Sequence, residues 1–285
     1  MNDYLITILT CNFNTSDFLI NTLYSLKKLT KNKYKVIIRD NNSKYEDYFK
    51  LFNYTKDFNN IELYRVEGFK IRGSLAHGMA LNDLFLKVKT KYCVILDPDF
   101  TFLIKNWDDI LINELDEKCP IIGTQGPRFK YQDFPYIFGI LFKSNIFKEL
   151  EIDFRPKTSE KNPNTDTGYK LREKCLNSGY NGKLLKIKDT RFHKSGPFHD
   201  INCQEFYLNG YKKIFASHFF RGHSSGFWKY YSANKKKISQ IPFIGKKLVS
   251  LKIIDKILGR MAKIKGLKEK SKWLKRCRKI VEKAA

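Results

Sequence analysis

The chain has 285 residues, 42% of them hydrophobic and 15% aromatic, which suffices for one large α/β domain with a real core and argues against wholesale disorder. Its formal charge of +25 is uneven: nineteen Lys and Arg against three acids lie in 229–285, a net of +16, leaving +9 for the first 228 residues. Six scattered cysteines with no CxxC argue against a zinc ribbon or a disulfide framework and fit a reducing compartment.

The N-terminal MNDYLITILTCNFN has no basic region followed by a long apolar core, so no secretory leader is expected. The longest apolar run, 136–142, is far below the roughly 18–20 residues that span a bilayer. A cytoplasmic protein is expected, soluble or peripheral at the inner face of the membrane.

Residues 5–9 read as a first strand, closed by Thr10-Cys11-Asn12. Phe18, Leu19, Leu23 and Leu26 then recur at helical spacing, with Ser16 suited to the N-cap. KVIIR at 35–39 is a second strand, stopping at Asp40-Asn41-Asn42-Ser43, and 61–66 is a third. Gly73-Ser74 opens a helix with Leu81, Leu84, Phe85 and Val88 on one face, and 92–96 is a fourth strand ending in Asp97-Pro98-Asp99. This order predicts a mainly parallel α/β sheet flanked by helices. Ligands of such sheets sit outside the carboxyl ends of the strands, where three polar clusters now coincide.

Two carboxylates at i and i+2 of an extended segment face one side, and Mg²⁺ or Mn²⁺ takes such oxygen ligands together with substrate phosphates. Alone, Asp-x-Asp is also an ordinary turn, and Asp40 and Asn12 are also ordinary caps.

LITILTCNFNTSDFLINTLYSL, KVIIRDNNS and KYCVILDPDF together resemble the nucleotide-sugar-binding half of GT-A (nucleotide-diphospho-sugar transferase) glycosyltransferases, particularly the family 2-like group. The resemblance spans roughly residues 4–226. It implies that Thr10, Asn12 and Asp40 contact the uracil or ribose side of a nucleotide. It also implies that Asp97 and Asp99 hold a metal and the diphosphate, with Asp99 the direct ligand. Many members carry an Arg-Asn pair before the metal motif. This chain has Arg72-Gly73-Ser74-Leu75-Ala76-His77, and either Arg72 or His77 serves the diphosphate.

Further along, PIIGTQGPR and YIFGILFKSNIFKEL resemble the strand and helix leading to the acceptor side, and Asp166 falls where the family has its catalytic base, at a helix N-terminus. A helix cap is the plainer role for Thr165 or Asp166, and Glu205 is the rival base. His193 and His199 draw no role from their spacing. HFFRGHSSG at 218–226 is similar to the family's late metal-ligating segment, with His223 the first choice, His218 the second, and Arg221 a partner for the diphosphate.

The resemblance implies a hexosyl- or N-acetylhexosaminyltransferase, inverting and dependent on Mn²⁺ or Mg²⁺, that carries sugar from a nucleoside diphosphate, UDP foremost, to a glycan or lipid-linked acceptor. The expected division is 1–228 for the transferase domain (1–118 donor half, 119–228 acceptor half) and 229–285 for a basic helical tail. In the tail, Leu248, Leu251, Ile254, Ile257, Leu258, Met261 and Ile264 recur at 3–4 spacing among lysines, bounded by Pro242 and Gly266. A second basic stretch carries Trp273, Leu274, Cys277, Ile280 and Val281. Cationic amphipathic helices with a Trp lie on anionic bilayers, so 246–281 reads as a membrane-surface segment. The alternative is an appendage folded on the body or paired with a second chain. A nucleic-acid-binding protein is the rival from another class, but no nucleic-acid motif appears and acids at the sheet edge repel phosphate. A non-catalytic nucleotide-binding module is the third possibility.

Overall fold

The computed structural model describes residues 4–128, 130–157, 166–220 and 227–285. Strands β1 (Ile6–Asn12), β2 (Tyr34–Asp40), β3 (Ile61–Arg65) and β4 (Tyr92–Leu96) alternate with helices α1 (Ser16–Leu29), α2 (Tyr45–Thr55) and α3 (Gly73–Phe85). They pair in parallel, as expected, and the order is β3-β2-β1-β4. Both faces of this part are buried. Ile6, Ile8, Val36, Ile38, Val94 and Leu96 face the α1 side, while Leu9, Cys11, Ile37, Cys93 and Ile95 face the α3 side. Alternate residues therefore feed two cores, which is why the strands read as unbroken apolar runs.

Beyond β4 the sheet becomes mixed. β5 (Phe100–Phe102), α4 (Trp107–Asn113), β6 (Ile121–Gln125), β7 (Pro135–Lys143) and α5 (Ser144–Glu149) are followed by α6 (Leu171–Asn177), β8 (Gly182–Asp189), β9 (Gln204–Tyr207) and β10 (Ala216–His218). The order continues β4-β7-β6-β8-β9-β10-β5, antiparallel except for β6 with β8. The parallel pairing expected of the sheet thus holds for its first four strands. β10 pairs with β5 in a register that sets His218 opposite Phe100, so the last strand returns to the turn after β4.

Two local expectations need correction. The N-cap of α1 is Thr15, not Ser16, and neither side chain caps the helix. The Asp47 carboxylate from α2 accepts from the Ser16 amide (3.1 Å) and hydroxyl (2.7 Å) instead. Asp166 does not open a helix: α6 starts at Leu171, and Asp166 begins the turn before it, in which Gly168 has φ +70°.

The C-terminal segment differs most. Helix α7 (Phe227–Ser239) leads through Pro242 to α8 (Gly245–Ser250), and an extended Leu251 separates α8 from α9 (Lys252–Ala284). The single helix expected between Pro242 and Gly266 is therefore broken at Leu251 and runs on through Gly266, which is buried inside a 33-residue helix. The last turns of α9 dock on α1 and β10. Trp273 is completely buried, its ring 5.8 Å from Phe18 and 5.7 Å from Phe219, and its indole N–H donates to Ser217 Oγ at 2.9 Å. Cys277 and Val281 are buried beside it. Trp273 is thus a core residue and has no surface to offer a bilayer. Among the described residues no helix is long and apolar enough to cross a membrane.

Because Trp273 fills the α1–β10–α9 junction, Trp273→Ala is expected to cost about 3–5 kcal/mol, read as a lower urea midpoint. Wild-type stability would mean that this junction contributes nothing to the fold.

Candidate active site

β4 delivers two acids to the sheet edge. The Asp97 amide donates to the Phe138 carbonyl of β7 (3.1 Å), and the Phe100 amide closes the turn onto the Asp97 carbonyl (3.1 Å). Pro98 stiffens this turn by its fixed φ. The Phe219 amide donates to the Asp99 carbonyl (2.9 Å), so the turn is clamped from β7 and from the residue after β10.

That clamp brings His218 onto the acids. Its Nε2 lies 3.1 Å from Asp99 Oδ1 and 3.7 Å from Asp97 Oδ2, and the Phe138 ring stacks on the imidazole at 4.7 Å. One ligand atom from each of Asp97, Asp99 and His218 falls within 4.8 Å of the others. His77 Nε2, buried and without a hydrogen-bond partner, stands 3.7 Å from Asp97 Oδ1. Burial lifts the Asp97 carboxyl above its ordinary value, against His77 and His218 and together with Asp99 and Asp166. Burial alone would depress the His218 imidazole, but Asp99 and then Asp97 carry it above its ordinary value. Two oxygens and an imidazole nitrogen in one buried corner are a donor set that a divalent transition ion such as Mn²⁺ accepts. Of the candidates in the 218–226 stretch, His218 lies at the acids. His223 and Arg221 lie outside the described residues.

This corner opens into a cavity of about 550 Å³ between α3 and the strand ends. Phe13, Asn41 and Arg72 form one side, with the Arg72 guanidinium 4.5 Å above the Phe13 ring. Asn41 is buried and its Oδ1 has no partner. Asp166 and Lys130 stand on another wall with Tyr136 and Phe138. Asp166 Oδ1 accepts from Ser74 Oγ (2.8 Å) and from the Thr167 amide (2.9 Å), while Lys130 Nζ is 3.9 Å from its Oδ2. Thr167 Oγ1 donates in turn to the Ser74 carbonyl (3.0 Å), tying this turn to the start of α3. Burial, with Asp166 adding to it, pushes the Tyr136 hydroxyl up to about 12.

Three expected donor residues lie beneath the cavity instead of lining it. Asn12 and Asp40 are fully buried, and Asn12 Nδ2 donates to Asp40 Oδ2 (2.8 Å) and Asp47 Oδ1 (2.9 Å). Asp40 Oδ1 also accepts from the Ser43 amide (3.0 Å), which shapes the turn that presents Asn41. Thr10 is buried with its Oγ1 unpartnered. Glu205 does not line the cavity either. It is fully buried, accepting from the Phe198 amide and the Tyr207 hydroxyl, both at 2.7 Å. His193 and His199 are exposed and also lie off the cavity.

Asn41 stood inside the quoted Asp-Asn-Asn-Ser run and was legible as a neighbour of Asp40. Phe13 and Ser74 were likewise adjacent to singled-out residues. Lys130 and Tyr136 carried no local signal, because only the fold brings Lys130 and the start of β7 to this wall.

A solved mannosyltransferase from Pyrobaculum calidifontis, in complex with GDP-Man and Mn²⁺, superposes with TM-score 0.50 at 15% identity, covering 65% of this chain and 55% of its own. Residues 1–349 of TarS from S. aureus give TM-score 0.48 at 12% identity, covering 84% of this chain and 66% of that one. GalNAc-T7 with UDP, GalNAc and Mn²⁺ gives 0.48 at 17%, covering 65% and 42%. The chain thus spans little more than half of the mannosyltransferase, and likenesses this distant concern the fold alone. No curated protein matches it in sequence. The profile of glycosyl transferase family 2, however, matches residues 7–172, from β1 through the Asp97-Pro98-Asp99 turn to the start of α6, and on that match the chain belongs to glycosyl transferase family 2.

Proposed function

We propose that this protein is a metal-dependent inverting glycosyltransferase that moves a hexose or N-acetylhexosamine from a nucleoside-diphosphate sugar, UDP-linked foremost, to a hydroxyl of a glycan or lipid-linked acceptor, in the cytoplasm at the inner face of a membrane. The observation that carries it is the sharing of one cavity by the Asp97–Asp99–His218 corner and the Asp166 carboxylate.

Asp97, Asp99 and His218 would hold the cation. When bound, a divalent ion supplies positive charge to the diphosphate oxygens of the leaving group. Arg72 and Lys130 add fixed positive charge on the cavity walls, and His77 flanks Asp97. The Phe13 ring and the unpartnered Asn41 Oδ1 suit the nucleoside, the first by stacking and the second by accepting from a base or ribose donor. Phe138 and Tyr136 provide apolar wall that keeps water from the reacting carbon. Asp166 is the base. Ser74 and the Thr167 amide engage Oδ1, leaving Oδ2 to take the proton of the acceptor hydroxyl as that oxygen attacks the anomeric carbon.

Thermal shift with a panel of nucleoside-diphosphate sugars tests this. With Mn²⁺ and a donor at 100 times its Kd, the melting temperature should rise by about 5 °C; no rise with any donor would remove the proposal. Asp99→Ala and His218→Ala should each abolish the metal-dependent part of that rise. Asp166→Asn should keep the shift while sugar transfer falls by about 10²-fold or more. Transfer at the wild-type rate would strip Asp166 of its role.

A further inference from the structure

Helix α9 has two apolar faces. Leu258, Ala262, Gly266, Trp273, Cys277 and Val281 are buried and face the body. Ile253, Ile257, Met261, Ile264 and Leu267, at steps of four, four, three and three, are each 47–67% exposed on the opposite side. In the turn between α7 and α8, Ile241 and Ile244 are also exposed and Phe243 is fully so. Five large aliphatics in a continuous outward stripe are not the scattered surface apolars of an ordinary domain.

The charge around the stripe is of one sign. Lys252, Lys256, Arg260, Lys263, Lys265 and Lys268 are all exposed on the same stretch. The two acids within reach are already engaged toward α7. Asp255 accepts from Tyr231 and pairs with Lys235, and Glu269 accepts from Tyr230 and from Asn202. The third acid of α9, Glu282, lies in its last turns, beside Tyr24. Among the described residues, therefore, the acids of α9 leave the cations of the outward stripe without a paired carboxylate.

We infer that the outward face of α9, with the 241–244 turn, is a docking surface for an anionic phospholipid bilayer. Ile253, Ile257, Met261 and Ile264 enter the acyl boundary while the lysines meet the headgroups. A second copy of the chain would bring two uncompensated cationic faces together, and a nucleic-acid backbone gives a row of Ile and Met no apolar partner. This surface deepens the proposal of a membrane-proximal acceptor and rests on that reading for its purpose. Its test needs neither donor nor turnover, so either proposal can fail without the other.

Full-length protein is to be sedimented with phosphatidylcholine vesicles with and without phosphatidylglycerol at physiological salt. It should pellet with the anionic vesicles only, and the Ile257→Glu/Ile264→Glu variant should bind them about 100-fold more weakly with an unchanged melting temperature. Phe243→Trp should gain a blue-shifted emission component on mixing with the same vesicles. Four results would overturn the inference. These are wild-type protein left in the supernatant, equal binding by the double variant, a lipid-free dimer that the double variant dissociates, and release from vesicles by a nucleic-acid duplex competing for the same face.

Discussion

The arrangement of the site depends on the meeting of Asp97, Asp99 and His218 at the end of β4. Two carboxylates in a buried corner repel each other, and burial penalises each charge further. The imidazole of His218, 3.1 Å from Asp99, offsets part of this. Burial lifts the Asp97 carboxyl above its ordinary value, with Asp99 and Asp166 adding to the lift and His77 and His218 opposing it. The surrounding architecture keeps the three groups together against that repulsion. The β5–β10 register sets His218 opposite Phe100, Phe138 stacks on the ring, and backbone hydrogen bonds from Asp97 and Phe219 clamp the turn. Two carboxylates and an imidazole held together in this way form a donor set that a divalent cation fits.

The donor side is built by a different principle. Asn12 and Asp40, at paired positions of β1 and β2, satisfy each other's hydrogen bonds, and Asp47 and Ser43 take up the remainder. Buried polar groups that are fully paired rigidify what they join. Here they join the β1–α1 turn to the β2–α2 turn, and so fix Phe13 and Asn41 on the cavity wall without meeting it themselves. The polar residues that mark these strand ends in the sequence therefore act one layer below the surface they shape.

Local periodicity made the β1–β4 half legible because each element there is stabilised mostly by its own repeating pattern: apolar runs for doubly buried strands, 3–4 spacing for α1 and α3. The metal corner was half legible. Asp97 and Asp99 stand in the motif, but His218 reaches them through the antiparallel register of β10 on β5, a pairing across more than a hundred residues that no local pattern encodes. Asp166 was found in sequence, but its support was not, since Ser74 is 92 residues away along the chain. The N-cap of α1 escaped for the same reason: its carboxylate comes from Asp47 on another helix.

The tail shows the limit of periodicity most sharply. Leu258 and Ile257 are neighbours in sequence and both fit the 3–4 pattern, yet one is buried and the other points away from the body. A helix that is apolar on two sides gives one broad signal, and only packing divides it. Trp273 belongs to the inward side, so the aromatic that most suggested a membrane anchor instead fastens α9 to α1. Among the described residues, the outward stripe then keeps its cations without a paired carboxylate. In chain order α7 is the first element after the His218 strand, so the helical segment that carries this stripe is continuous with the strand that brings His218 to Asp97 and Asp99, and the burial of Trp273 against Phe18 and Phe219 fixes which face of α9 is left outward.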